Sequence, residues 1–259
     1  MSVFWKRNPT KRFIVVMVFV VMCACFLTRG AYSENAGSDN KKTVALDPGH
    51  GGHDKGAKGP NGALEKIVAL KLAEVVATEL KSAYTVILTR TDDYWLDSHD
   101  RTAIANHLKA DLFISLHTGG SFLHQASKTS LYYYKKHAYQ NLELGNDPSG
   151  LSSGMSLKTD WSSIHKRHQE TSRLLAKLIQ NGLNTYTTFA KSEIKGVPLM
   201  VFEGADMPAI LMEIGYITNP TVEKSLSDIR VLLNIAKGIR KGVNDFFEPA
   251  QHSSISDLN

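Results

Sequence analysis

Cysteine is nearly absent from this chain: 259 residues hold only Cys23 and Cys25, both within the first 33. Beyond that point no disulfide can form and no thiol can act, which excludes a disulfide-stapled scaffold and a cysteine nucleophile. Acidic residues are missing from the same first 33 positions, where Lys6, Arg7, Lys11, Arg12 and Arg29 stand. Those are five of the 30 basic residues; the other 25 are matched by 25 acidic ones, so the net charge of +5 belongs to the N-terminal segment. The rest has no surplus of positive charge, and nucleic acid is excluded as the expected partner. The longest apolar run, 13–27, is about 15 residues, short of the ~20 that span a bilayer core. No internal repeat is visible.

What is present begins with a basic start, an apolar stretch and the small-x-small sequence Ala31-Tyr32-Ser33. That layout reads as a secretory signal over 1–33. The alternatives are a retained anchor, which would bring a membrane into play, or a lipoprotein acylated at Cys25. A polar, Gly/Ser/Asn-rich linker follows over 34–42, and a similar tail covers 249–259. Between them, 43–248 is enough chain for one domain with a sizeable core. The expected location is outside the cytoplasm, in a periplasm or at the cell exterior.

Apolar runs alternate with helix-period segments, the pattern of an α/β domain whose sheet lies between helices. Strands are expected over 43–46, 84–89, 112–116, 131–134 and 209–212, and helices over 65–81, 100–108, 169–183 and 229–247. In the first helix Ile67, Leu70, Ala73, Ala77 and Leu80 recur at spacings of three and four. The segment 135–161 is rich in Gly, Ser, Asn and Asp. Connections of that length are either functional lids or tolerated insertions.

The metal-ligand types fall at element ends. His50 follows the first strand in Asp47-Pro48-Gly49-His50-Gly51-Gly52, Glu65 opens the first helix, and His117 ends Phe113-Ile114-Ser115-Leu116. Such positions converge at one edge of an α/β sheet. Two imidazoles and a carboxylate suit catalytic zinc, which leaves a fourth position for water. Glu213, at the end of the apolar strand Ile210-Leu211-Met212, offers a second carboxylate as general base. Spacing alone does not decide between this set and scattered structural side chains.

Six stretches in order supply the context: Val44-Ala45-Leu46-Asp47-Pro48-Gly49-His50-Gly51-Gly52, then Gly62-Ala63-Leu64-Glu65, Leu88-Thr89-Arg90, Arg101-Thr102-Ala103-Ile104-Ala105-Asn106, Phe113-Ile114-Ser115-Leu116-His117, and Met207 through Glu213-Ile214-Gly215 to Pro220. Together they resemble the zinc-dependent N-acetylmuramoyl-L-alanine amidases of the cell-separation type, over nearly all of 43–247. The resemblance implies a single α/β domain with a mixed, mostly parallel sheet of about six strands flanked by helices. It implies Zn²⁺ on His50, Glu65 and His117, a catalytic Glu213, and peptidoglycan as substrate. It further suggests an activator protein acting on 135–161, where regulated relatives carry an insertion over the metal. Two departures stand out. Thr118-Gly119-Gly120 follows His117 where a small residue and then Asn or Asp is usual, and Glu193-Ile194-Lys195-Gly196 has lysine where arginine is frequent. Lysine keeps the charge but loses the planar fork that grips a carboxylate twice.

Other candidates carry blander readings. His53 is a fourth ligand or a solvated loop histidine, and His165 and His168 a metal pair or an exposed polar face. Tyr132-Tyr133-Tyr134 is a sugar-stacking surface or half-buried strand packing. Arg90, Arg101 and Asn106 read as residues that hold strand ends and loops. The expected chemistry is metal-assisted amide hydrolysis. Three alternatives remain at this level: a zinc peptidase acting within the stem peptide, a non-catalytic wall-binding or regulatory protein on the same fold, and a solute-binding receptor of the cell envelope, for which the sequence offers no supporting motif.

Overall fold

Thr43–Pro48 (β1) buries its last five residues, the near-continuous burial expected of an interior parallel strand. The computed structural model describes residues 41–120, 128–135, 161–188 and 190–248. The N-terminal segment 1–40, the bulk of 135–161 and the tail 249–259 lie outside the described residues. Described elements follow in the order β1, α1 (Glu65–Leu80), β2 (Thr85–Leu88), α2 (Ser98–His107), β3 (Leu112–Gly119), β4 (Lys128–Tyr134), α3 (Trp161–Tyr186), β5 (Ala190–Val197), a 3₁₀ turn (Met200–Phe202), β6 (Ala209–Tyr216), α4 (Pro220–Leu226) and α5 (Ile229–Phe247).

The six strands form one sheet in the order β2-β1-β3-β6-β4-β5. All neighbours are parallel except β4 against β6. The result is the mixed, mostly parallel α/β sheet of six strands that the family resemblance implies. One face packs Val44, Leu46, Leu112, Ile114, Leu131, Ile210 and Met212 against apolar residues of α1, α3 and α5. The other face carries a smaller core of Ala45, Phe113, Leu211, Phe202 and Ala105, under α2 and the 3₁₀ turn. On this face His117 and Glu213, near the C-terminal ends of β3 and β6, stay partly exposed.

Several elements differ from the sequence expectations. In α1 Ala73, Ala77 and Leu80 of the expected stripe are buried, joined by Ala69, Leu72 and Val76, while Ile67 is 49% exposed. The stripe departs from the expected one at the helix start, where Glu65 and Lys66 are the buried residues. Helix α3 starts at Trp161 rather than at 169, since Lys166 and Arg167 are exposed and leave no apolar repeat to read. β5 has no counterpart among the expected strands; it is a sheet edge whose Glu193 and Lys195 interrupt any apolar run. The short α4 is capped by Asn219, whose side chain accepts from the amides of Thr221 and Val222, with Pro220 at its first turn.

Candidate metal centre

Asp47 is wholly buried beneath the site, and its carboxylate accepts from Thr89 Oγ1 (2.6 Å), Ser115 Oγ (2.7 Å) and Arg101 Nη1 (2.8 Å). The turn that leaves β1 points its carbonyls inward, and two buried arginines satisfy them. Arg90 donates to Pro48 O (3.0 Å), Gly49 O (2.8 Å) and Lys66 O (2.8 Å). Arg101 reaches Pro48 O and His50 O, each at 2.9 Å. These bonds fix the backbone that presents His50. That residue sits at φ 61°, in the left-handed region that a non-glycine residue seldom occupies. Gly49 permits the close approach of the next ligand, because a Cβ there would lie 2.2 Å from His117 Cε1.

Helix α1 delivers Glu65 at its first position, where a carboxylate suits the positive end of the helix dipole. Two backbone amides orient it: Thr118 N donates to Oε1 (3.0 Å) and Ala57 N to Oε2 (2.8 Å). β3 runs beyond the expected end at 116 and carries His117 within its last turn of pleat. His50 Nε2, Glu65 Oε1 and His117 Nδ1 then form a near-equilateral triangle with edges of 3.1, 3.1 and 3.2 Å. Bonds of 2.0–2.1 Å in a tetrahedral site require donor–donor separations of about 3.3 Å, so the triangle fits one face of a zinc coordination shell. Among the described residues these three form the group able to hold a metal ion. His53 is not part of it; its ring lies against Trp95 with centroids 5.1 Å apart. His168 pairs instead with Asp206 at 3.1 Å.

Burial alone would push the Glu65 carboxyl up, but the hydrogen bonds from His117 and His50 hold it at about 2. It is therefore ionised whenever a metal would bind. The distal nitrogen of His50 meets Asp54 Oδ2 at 2.8 Å, and Asp54 Oδ1 takes the amide of Gly56 at 3.1 Å. A carboxylate behind a ligating histidine fixes its tautomer and raises its basicity. Sequence reasoning missed Asp54. The one signal for it was its position four residues after His50, inside the same glycine-rich loop.

Glu213 lies directly across from His117 in the β3–β6 register. Burial raises its carboxyl above the ordinary glutamate range, and the charge of Glu65 acts in the same direction; the Tyr132 hydroxyl and His117 oppose both. Tyr132 donates its hydroxyl to Glu213 Oε2 at 3.2 Å. Of the three tyrosines, Tyr133 packs in the core and Tyr132 serves the site. On the His50 side the centre opens into a cleft of about 440 Å³, lined in part by Asp54, Trp95, Leu96, Leu199 and Met200.

A buried carboxylate between two half-buried histidines at the C-terminal edge of a mostly parallel sheet, with a further half-buried carboxylate one strand away, defines an α/β domain with a candidate metal centre. The sequence model of the N-acetylmuramoyl-L-alanine amidase family matches residues 44–245, and the chain belongs to that family. It is 28% identical over 219 residues to the amidase AmiC of Neisseria meningitidis serogroup B, covering 80% of this chain and 53% of that protein. Against AmiC of Escherichia coli O6:H1 it is 28% identical over 232 residues, covering 84% and 56%. The chain thus spans about half the length of these two relatives. Among solved structures, an N-acetylmuramoyl-L-alanine amidase from Clostridium difficile 630 aligns with a TM-score of 0.66 at 25% identity, over 82% of this chain and 99% of that one.

Proposed function

We propose that this chain is an exported zinc hydrolase that cleaves the amide bond between N-acetylmuramic acid and the L-alanine of the peptidoglycan stem peptide. The observation that carries the reading is the triangle of His50 Nε2, Glu65 Oε1 and His117 Nδ1 with Glu213 in register beside it. Family membership and the amidase names of its relatives support the choice of substrate. His50, Glu65 and His117 would hold the zinc, which when bound supplies Lewis acidity, acidifying water and polarising the scissile carbonyl.

Glu213 takes a proton from the attacking water and returns it to the departing alanine nitrogen as the C–N bond breaks. The products are a lactyl carboxylate on the sugar and a peptide with a free L-alanine amino group. Burial keeps Glu213 basic enough to accept that proton, and Tyr132 holds it in place. Asp54 orients His50, and Asp47 with Arg90 and Arg101 braces the turn beneath.

In the same reading, 1–33 directs export, 34–42 is a linker, 43–248 is the catalytic domain and 249–259 a tail. A protein activator would act on 135–161. No helix among the described residues is long and apolar enough to cross a membrane. The test is mass spectrometry of purified peptidoglycan after digestion with added zinc. Intact stem peptides beginning at L-alanine support the amidase; fragments cut within the peptide would establish a peptidase in its place.

A further inference from the structure

The partly covered face of the sheet that holds Glu213 continues across β4 to β5, and its side chains there form a charged row. Register sets the row: Ser130 on β4 pairs with Glu213 on β6 and with Glu193 on β5, and Tyr132 pairs with Leu211 and Lys195. Tyr132 reaches Glu213 and Ser130 reaches Glu193 Oε1 (3.1 Å), so these side chains share one face. Glu193 Oε1 is held by two ammonium groups, Lys128 Nζ at 2.6 Å and Lys195 Nζ at 2.7 Å. Two cations therefore share one anion on β4 and β5, a surplus of one positive charge set beside the Glu213 carboxylate. Both lysine side chains are over 40% accessible.

The other flank of the centre differs in chemistry. Its cleft is lined by Trp95, Leu96, Leu199 and Met200 together with Asp54, Asp97 and His99, so it pairs apolar surface with acidic groups, and its one arginine or lysine, Arg101, is engaged by Asp47 and backbone carbonyls. A flank that joins an aromatic ring to acidic acceptors, with no free cation, suits a hydroxyl-rich sugar rather than carboxylates; a surplus of ammonium suits a peptide bearing free carboxylates. Strands lie about 4.8 Å apart, which puts β5 about 10 Å from β6. An extended peptide rising 3.3–3.6 Å per residue covers that span within about three residues.

Resting on the amidase reading above, we infer that the β4–β5 face is the subsite for the stem peptide's carboxylates, with Lys195 as its specificity-determining residue and Lys128 behind it. The substrate then lies across the sheet in one direction, glycan over Trp95 and peptide over β5. Glu193 tempers the subsite by neutralising one of its two lysines.

The experiment uses two synthetic N-acetylmuramoyl peptides of identical sequence, one with free carboxylates beyond L-alanine and one with them amidated. Zinc-loaded wild-type protein, Lys195→Met and Glu193→Gln are compared, with melting midpoints to verify folding. Lys195→Met should raise KM about 5-fold on the acid peptide, the scale of a half-exposed ion pair, and leave KM on the amidated peptide unchanged. Glu193→Gln should shift KM on the acid peptide downward, a direction that lost structure does not produce. Equal effects of Lys195→Met on both peptides, or none on either, would overturn the subsite. Wild-type protein that releases peptide from neither substrate would refute the amidase reading itself and this inference with it.

Discussion

Replacing Glu213 by Gln separates the proposed base from the metal ligands. The amide keeps the volume of the carboxylate and an oxygen that can still accept the Tyr132 hydroxyl, now 3.2 Å from Oε2. Folding and metal retention should therefore be unchanged, because His50 Nε2, Glu65 Oε1 and His117 Nδ1 are untouched. Basicity is what disappears. A positioned general base contributes about 10²–10⁴-fold, or roughly 3–5 kcal/mol of transition-state stabilisation at 1.36 kcal/mol per tenfold. Turnover on purified peptidoglycan should fall by that factor while zinc content, measured by elemental analysis on the same sample, stays at one per chain. Wild-type activity should fall on acidification as Glu213 protonates, and the residual activity of the glutamine variant should lack that acid limb. Near-normal turnover would refute the role of Glu213 as base. Loss of zinc as complete as in His50→Ala would make Glu213 a ligand and refute the three-ligand centre.

Gly49→Ala should abolish zinc retention with the fold intact, since its Cβ would collide with the His117 ring; near-normal zinc content by elemental analysis would contradict this. Asp47→Ala strips a wholly buried carboxylate from Arg101, Thr89 and Ser115, and should cost about 3–5 kcal/mol in denaturant unfolding. Glu223 accepts from the amides of Asn61 and Ala63 and from Asn61 Nδ2, tying α4 to the loop before Glu65. Glu223→Ala should lower stability by about 2–4 kcal/mol and weaken zinc binding. The folded-state pKa of Glu223 is depressed despite its burial, because those amides favour the charged form. Its contribution to stability is thus present above the unfolded pKa and lost as pH falls through the folded one. Unfolding midpoints of wild type and variant should accordingly converge in acid, and a constant difference would contradict the assignment.

The elements legible in the sequence are those whose burial is one-sided and regular. α5 spans Ile229–Phe247 as its periodicity implies, with Leu232, Ile235, Ala236, Ile239 and Val243 buried on one side. The metal-ligand candidates stood out by their places at strand and helix ends, but it was the family resemblance of the surrounding stretches that singled them out. What the pattern concealed has a common cause. β3 and β6 run on to Gly119 and Tyr216, past the points where their apolar runs stop. They are polar or glycine-containing there because those ends carry His117 and Glu213. β5 escaped notice for the same reason, its charged residues facing the site rather than a core. The hydroxyl contact of Tyr132 with Glu213 depends on folded proximity that no local pattern encodes, whereas Asp54 left only its spacing of four from His50 as a signal.

The four residues around the proposed zinc are not held alike. Glu65, His117 and Glu213 project from a helix and two interior strands, a fixed wall. His50 alone hangs on a glycine-rich loop at φ 61°, a backbone state that costs a non-glycine residue of order 1 kcal/mol. The centre is thus built as an anvil and a latch. A metal ion between His50 and the wall would add a ligand bond to a loop whose backbone the Arg90 and Arg101 contacts with its carbonyls already hold. Metal loading should consequently register first as slowed amide exchange in the loop around His50, with the sheet behind it indifferent.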